Sequence, residues 1–142
     1  MYRRPVENES TRLLIAPHVQ ATLLAEAIQT AEVGFVVWDD DRHYIAANAE
    51  ACSLLGCTLE QLLGSEVGSR TAEGKELVER VVGGQARRGR VVFERFDGGT
   101  AELEYLTFET KTAGLPYMAS IVWPAEYRAC RLFAFRKDPR PR

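Results

Sequence analysis

Three strand-like segments, separated only by glycine turns, fill the second half of the chain and restrict its fold most strongly. The segments are GRVVFERFD, TAELEYLTFETKT and LPYMASIVWP, with turns at Gly98-Gly99 and Gly114. In the second segment Leu103 and Tyr105 alternate with acidic residues, whereas Leu106 and Phe108 take the opposite parity. Both faces of that strand therefore carry apolar groups, and each face needs another layer to cover it.

The first half of the chain predicts one longer helix, a strand hairpin and a set of short helices. Residues 17–31 repeat apolar side chains at three- and four-residue steps, which predicts an amphipathic helix. GFVVWD and HYIAA flank an acidic turn and predict a pair of strands. Asn48 is a suitable N-cap for AEACSLL, Thr58 and Gln61 have capping-box spacing in TLEQLLG, and AEGKELVERVV has one apolar face.

The order of these elements predicts an α+β domain with an antiparallel sheet. We expect the short helices to pack on one sheet face and to enclose a cavity there. The N-terminal helix, from the same or a second subunit, would cover the other face. The predicted organisation is a flexible segment 1–16, the helix 17–31, a core 32–124 and a C-terminal extension 125–142.

Composition excludes several classes of function. A chain of 142 residues with 46% hydrophobic residues suits one domain with a real core. A net charge of -2 gives no field that would gather nucleic acid or anionic lipid. No apolar run is long enough to span a bilayer, and the first residues lack the apolar core of a secretion signal, so we expect a cytoplasmic protein. The three cysteines, Cys52, Cys57 and Cys130, form no C-x-x-C pair and predict neither a disulfide framework nor a zinc site.

The acidic turn is the first candidate site, because Asp39, Asp40 and Asp41 lie directly before Arg42 and His43. Such residues could form a divalent-ion site or a carboxylate–histidine pair. They could equally form a hairpin turn in which Asp side chains accept hydrogen bonds from nearby backbone N–H groups. Neighbouring strand residues point to opposite faces and do not readily converge. We therefore favour the turn, and predict no metal site and no catalytic residue.

Four stretches together resemble the PAS domain family of sensor and interaction modules. They are VGFVVWDDDRHYIAANAEACSLLG, TLEQLLG, FDGGT and YMASIVW, in the family's order and spacing, within residues 24–123. The resemblance implies a five-stranded antiparallel sheet flanked by short helices, often with a ligand or cofactor pocket and often dimeric through an N-terminal helix. It does not supply a function by itself, because this fold hosts sensing, dimerisation and cofactor binding alike.

The cofactor-binding branches of that family are not matched by their signatures. Flavin-binding light-oxygen-voltage members carry an Asn-Cys-Arg-Phe-Leu string, and neither Cys52 nor Cys57 has those neighbours. Haem-binding members place a histidine on the helix before the third strand, and TAEGKELVERVVGG contains none. We therefore predict no cofactor, with a haem- or flavin-carrying redox or light sensor as the alternative. Cys57 precedes a helix start, where the dipole would favour a thiolate, and is the better candidate for a redox-sensing thiol; simple packing is the other interpretation.

A ligand pocket between helices and sheet is the main functional prediction, based on strand and helix parity together with the family pattern. Small residues at Ala47 and Ala51 would leave room for a ligand, unless Trp38, Tyr105 and Tyr117 fill that space. The predicted lining residues are Val36, Trp38, Ala47, Ala51, Leu55, Val78, Val82 and Tyr105.

The sequence thus predicts a cytoplasmic signal-sensing or protein-interaction module, not an enzyme. We expect a homodimer formed through residues 17–31, with a small apolar or aromatic ligand biasing two conformations. Because the chain ends soon after Pro124, we expect the signal to pass to a partner signalling protein or through self-association. A small α+β enzyme is the third alternative, although no nucleophile with an oriented base is visible.

Overall fold

The computed structural model describes residues 9–126, which form five strands and five helices. The strands are β1 Gly34–Trp38, β2 Tyr44–Ala47, β3 Arg88–Glu94, β4 Thr100–Thr112 and β5 Leu115–Pro124. The helices are α1 Glu9–Leu14, α2 Pro17–Gln29, α3 Ala49–Leu55, α4 Leu59–Leu62 and α5 Gly74–Val82. Residues 1–8, Cys130 and the rest of 127–142 lie outside the described residues.

The strands form one sheet in the order β2-β1-β5-β4-β3, and every neighbouring pair is antiparallel. The first strand therefore lies beside the last one, in the middle of the sheet. This arrangement confirms the predicted α+β fold, a five-stranded antiparallel sheet flanked by short helices. None of the helices in residues 9–126 is long and apolar enough to cross a membrane.

The short helices begin and end where local sequence signals predict. Asn48 caps α3 by accepting a hydrogen bond from the Ala51 N–H, and Gly56 follows its end with a left-handed φ of 72°. Thr58 and Gln61 form the predicted capping box, each side chain bonded to the other's backbone N–H. Each signal acts within a few residues, which is why the sequence alone identifies it.

The acidic turn has the structural role that we favoured. The Asp39 carboxylate accepts hydrogen bonds from the backbone N–H groups of Asp41 at 3.0 Å and His43 at 2.9 Å. Arg42 adopts a positive φ of 67° at the bend. Its backbone N–H donates to the Asp39 carbonyl. The turn interpretation is therefore confirmed, because the Asp39 carboxylate is committed to the backbone.

The N-terminal helices differ from the prediction in packing. Helix α2 confirms the predicted helix, ending at Gln29 instead of residue 31, but none of its residues is buried. Leu23 and Leu24 are 45% and 61% exposed. Helix α1, within the segment predicted to be flexible, was not predicted because ESTR carries no apolar periodicity. The apolar side of α2 is thus not buried against the rest of residues 9–126.

The two faces of the sheet are both apolar, as the parity of β4 predicts. Leu103 and Tyr105 are buried on the face that meets the helices. On the other face Leu106 and Phe108 are half-buried, and the Phe108 ring meets Phe35 edge to face at 6.3 Å. The principal core therefore lies between the inner face of the sheet and helices α3, α4 and α5.

Candidate ligand site

A cavity of about 100 Å³ lies inside this core, between the inner sheet face and the helices. All five strands contribute to one wall, and α3, α5 and the segment before α5 form the other. Five of the eight predicted residues line it: Val36, Trp38, Leu55, Val78 and Tyr105. Contact of these residues with a ligand remains a prediction.

Ala47, Ala51 and Val82 do not line the cavity, which corrects the predicted site. Ala51 is fully buried where α3 crosses β1, and a Cβ built on Gly34 would lie 3.0 Å from the Ala51 Cα. These small residues therefore allow a close helix–strand approach and do not leave space for a ligand.

Ala47 and Val82 are displaced from the cavity by their positions along their elements. Ala47 ends β2 near the edge of the sheet, half-buried against the core. Val82 ends α5 and borders a surface groove. Val81, 4% exposed, takes the expected place in the wall. Residues three and four positions after Val78 lie on nearly the same helix face, so periodicity could not distinguish them.

Further lining residues were not among the predicted ones. They include Tyr44, Val67, Thr71, Leu77, Val81, Val91, Phe93, Leu103, Thr107, Ser120 and Val122. Thr107 could have been found, because it follows Tyr105 by two positions on β4 and shares its face. Ser120 could not, because its placement depends on the pairing of Ser120 with Thr107 across β4 and β5.

Three buried polar groups meet at the back of the cavity. The Trp38 Nε1–H donates to the Ser120 Oγ at 3.1 Å, and the Ser120 Oγ lies 2.8 Å from the Thr107 Oγ1. Trp38, Thr107 and Ser120 are 2%, 5% and 8% exposed. This chain of hydrogen bonds crosses β1, β5 and β4, and places two hydroxyl groups in a largely apolar wall.

The lining residues carry no formal charge, because none of them is acidic, basic or histidine. Burial raises the pKa of Tyr44 far above its ordinary value, and interaction with Cys57 adds to the effect. Burial also raises the pKa of Tyr105, whose hydroxyl donates to the Ala86 carbonyl at 2.7 Å. Both phenols therefore stay neutral, and the cavity is an uncharged environment.

Cys57 does not have the activated thiol that its position before a helix suggested. Burial, followed by interaction with Cys52, raises the pKa of Cys57 to about 11, although Arg70 and Arg95 act in the opposite direction. Helix α4 has only four residues, so its dipole offers little stabilisation to a thiolate. The packing interpretation fits these observations, because a protonated thiol is a poor nucleophile.

Asn48 joins three elements through its side chain. Its Oδ1 accepts hydrogen bonds from the N–H groups of Phe35 at 2.9 Å and Ala51 at 3.0 Å. Its Nδ2 donates to the carbonyls of Ile28 at 2.7 Å and Val33 at 3.0 Å. Asn48 is 3% exposed and its amide is fully used, so it is not a ligand contact. It connects β1 and α3 to the end of α2.

The fold and the cavity define a class of protein, an α+β domain with a small, uncharged space between a five-stranded sheet and short helices. Across residues 9–126 no cluster of side chains is suited to hold a metal ion. The chain matches the family model described as PAS fold over residues 29–107, and it belongs to that family. The predicted resemblance is thereby confirmed, and PAS domains are sensor and signalling modules.

Solved structures with the same fold come from several organisms. The PAS domain of an HTR-like protein from Haloarcula marismortui is 20% identical, with a TM-score of 0.66 and coverage of 81% of this chain and 96% of that one. A PAS domain from Colwellia psychrerythraea is 18% identical, with a TM-score of 0.67 and coverage of 77% and 99%.

A third similar structure is the PAS domain, in complex with ethanol, of a LuxR-family transcriptional regulator from Burkholderia thailandensis. It is 17% identical, with a TM-score of 0.60 and coverage of 72% of this chain and 96% of that one. Identities this low establish the fold only. Comparison with functionally curated proteins gives no significant match.

Proposed function

We propose that this chain is a cytoplasmic signal-sensing and protein-interaction module that works as a homodimer and binds a small apolar molecule in the helix–sheet cavity. The cavity itself carries the proposal. Protein interiors are usually close-packed, so a space that side chains leave unfilled among Leu55, Val78 and Leu103 is the natural place for a ligand. The proposed signal passes to a partner signalling protein.

The volume of the cavity sets the size of the ligand. Drug-sized and cofactor pockets measure roughly 300–1,000 Å³, and an engineered cavity of about 150 Å³ binds benzene. A space of about 100 Å³ therefore favours a molecule of about four or five heavy atoms. It argues against an aromatic ring, and more strongly against haem or flavin. Ethanol, held by the Burkholderia domain, is small enough for such a space.

The contacts of Asn48 provide a route from the cavity to the N-terminal helix. Val36 and Trp38 of β1 line the cavity, and the backbone N–H of Phe35 between Gly34 and Val36 bonds to Asn48. The same amide holds the Ile28 carbonyl near the end of α2. A ligand that moves β1 would therefore change the position of α2, a bias between two conformations.

Exposed apolar side chains on the N-terminal helices support the homodimer. Leu23, Leu24 and Ile28 of α2 are 45%, 61% and 37% exposed, and Leu13 of α1 is 67% exposed. An apolar patch of this kind is typical of an interaction surface. A second copy of α2 would cover it, which keeps the predicted interface at residues 17–31.

Catalysis is not part of the proposal. The cavity wall provides hydroxyl groups but no histidine, carboxylate or amine that could activate one. A bound pigment is also excluded from the proposal by volume, so the protein purified without added cofactor should absorb only in the aromatic region. A band in the visible would favour the cofactor-carrying alternative.

To test ligand binding, the full chain is titrated with pentane and with xenon, and binding is measured by changes in the amide chemical shifts. We expect shifts at the cavity and at the end of α2. Val81→Phe fills the cavity and is the control, in which both sets of shifts should disappear. The proposal would be contradicted if the wild type showed no chemical-shift changes, or if the changes persisted in Val81→Phe.

A further inference from the structure

We infer that the ligand of this cavity is a neutral molecule with a single oxygen atom, which accepts a hydrogen bond from the Ser120–Thr107 hydroxyl pair. The inference rests on the proposed function and specifies its ligand chemistry. Short alcohols, ketones and aldehydes belong to this class.

A count of donor hydrogens carries the argument. The indole of Trp38 only donates, so Ser120 must accept in the bond between them. The bond between Ser120 and Thr107 uses one of their two hydroxyl hydrogens, whichever group donates. Neither hydroxyl has another hydrogen-bond partner in residues 9–126. One hydroxyl hydrogen therefore remains without an acceptor, whichever way the pair is oriented.

That remaining hydrogen belongs to a pair that lines the cavity and is more than nine-tenths buried. Buried donors are nearly always satisfied in native proteins, because an unmade hydrogen bond is unfavourable. Thr71 and Tyr105, also in the wall, are engaged with the backbone of Gly68, Gly74 and Ala86. An oxygen atom inside the cavity is the partner that the Ser120–Thr107 pair lacks.

A small organic molecule satisfies this pair better than water does. A buried water usually makes about three hydrogen bonds, and most of the cavity wall consists of apolar side chains such as those of Val36, Leu103 and Val122. A single water would also fill only part of the space, since one molecule occupies about 30 Å³ in the liquid. An alkyl chain with one oxygen matches both the hydroxyl pair and the apolar remainder.

The uncharged wall excludes ionic ligands of the same size. No acidic or basic side chain lines the cavity, and both Tyr44 and Tyr105 remain neutral. A carboxylate or an ammonium group would therefore lose its hydration without gaining an opposite charge. The site should therefore distinguish neutral molecules from ions of the same size, which the volume of the cavity alone could not do.

The experiment titrates the isotopically labelled full chain with n-butanol, butanone, butyrate, butylammonium and pentane. The reporter is the indole N–H resonance of Trp38, because its acceptor Ser120 belongs to the hydroxyl pair. Trp123, whose indole donates to Glu104, is an internal reference outside the cavity. We expect butanol and butanone to shift Trp38 but not Trp123, and the two ions to shift neither.

Variants then separate the hydroxyl pair from the apolar wall. Thr107→Val should retain butanol binding within about threefold, because the Ser120 hydrogen becomes free in its place. Trp38→Phe, Thr107→Val and Ser120→Ala combined remove all three donors of this chain of hydrogen bonds, and butanol affinity should fall by at least about tenfold while pentane affinity is maintained. If the triple variant does not fold, a crystal structure of the wild type with butanol should place its oxygen within hydrogen-bond distance of Ser120 or Thr107.

Several results would overturn the inference. Binding of either ion, unchanged butanol affinity in the triple variant, or a butanol oxygen placed away from the hydroxyl pair would each refute it and leave the proposed function intact if pentane binds. If no neutral molecule binds, not even pentane, the proposed function would be refuted as well.

Discussion

Arg42 and Glu79 form a two-point ion pair that ties the acidic turn to helix α5. The Arg42 Nε lies 3.0 Å from one carboxylate oxygen of Glu79, and its Nη2 lies 3.2 Å from the other. The backbone carbonyl of Arg42 also accepts a hydrogen bond from the Val67 N–H at 2.8 Å. One residue at the bend thus fixes two of the segments that surround the cavity.

The first prediction concerns the effect of the Arg42–Glu79 ion pair on stability at acidic pH. Hydrogen bonds from Arg42 lower the pKa of Glu79, so its contribution to stability is complete above the ordinary value of 4.5 and is lost as the pH falls through the lower folded value. The midpoint of urea unfolding should therefore decrease less in Glu79→Gln than in the wild type when the pH is lowered below about 4.5. Because Glu79 is exposed, the change at pH 7 should be small. Glu76→Gln, on the same helix, is the control, and an equal effect of both would contradict the prediction.

Replacement of Asn48 by Asp should release helix α2 selectively. Asp keeps the acceptor that caps α3 and bonds Phe35, but loses the donors to Ile28 and Val33 and places a negative charge near those carbonyls. We expect a loss of about 2–4 kcal/mol in the free energy of unfolding, with faster hydrogen exchange in α2. Thr58→Ala, which removes the cap of α4, should cost about 1 kcal/mol and leave exchange in α2 unchanged. Unaltered exchange in Asn48→Asp would argue against the proposed route.

Gly34→Ala tests the close approach of β1 and α3. The new Cβ would lie 2.6 Å from Val122 Cγ2 and 3.0 Å from the Ala51 Cα. The Val122 side chain can move, whereas the helix backbone cannot do so without cost, so we expect a loss of about 1–3 kcal/mol in denaturant unfolding. Adding Val122→Ala to Gly34→Ala should restore only part of the lost stability. A neutral Gly34→Ala would show that the contact is not tight.

Cys57 should react slowly with iodoacetamide at neutral pH. Its pKa is raised to about 11, so the alkylation rate, followed by peptide mass spectrometry, should increase about tenfold per pH unit up to that value. The folded pKa is above the ordinary value of 9.0, so stability from the partly buried thiol is complete below pH 9 and declines as the pH approaches 11. Rapid alkylation at pH 7 would revive the redox-sensor interpretation.

Leu24→Glu should convert the proposed homodimer into a monomer. Leu24 is 61% exposed, so a charge there should leave the folded subunit nearly as stable while opposing an apolar interface. Sedimentation velocity would measure the oligomeric state, and circular dichroism would check the fold. Leu59→Glu, at a site 45% exposed on α4, is the matched control. A dimer that survives Leu24→Glu would exclude the interface at residues 17–31.

Short-range signals explain why so much of the fold could be predicted from the sequence. The cap at Asn48, the box formed by Thr58 and Gln61, and the Asp39 turn each connect residues a few positions apart. Trp38 and Ser120 are bonded across 82 positions, and only the strand pairing places them together. The place of Ser120 in the candidate site was missed for that reason.

The position of β1 beside β5 has a consequence for how the chain acquires its structure. The contacts of β3 with β4 and of β4 with β5 join segments that are neighbours in sequence. In contrast, β1 pairs with β5, so this pairing cannot form until residues 115–124 have been synthesised. During synthesis the first hairpin therefore leaves Val36 and Trp38 exposed until nearly the whole described chain has emerged. Folding should be slow and highly cooperative for a domain of this size. A truncation before β5 would remove the middle of the sheet, and the product should aggregate instead of forming a smaller sheet.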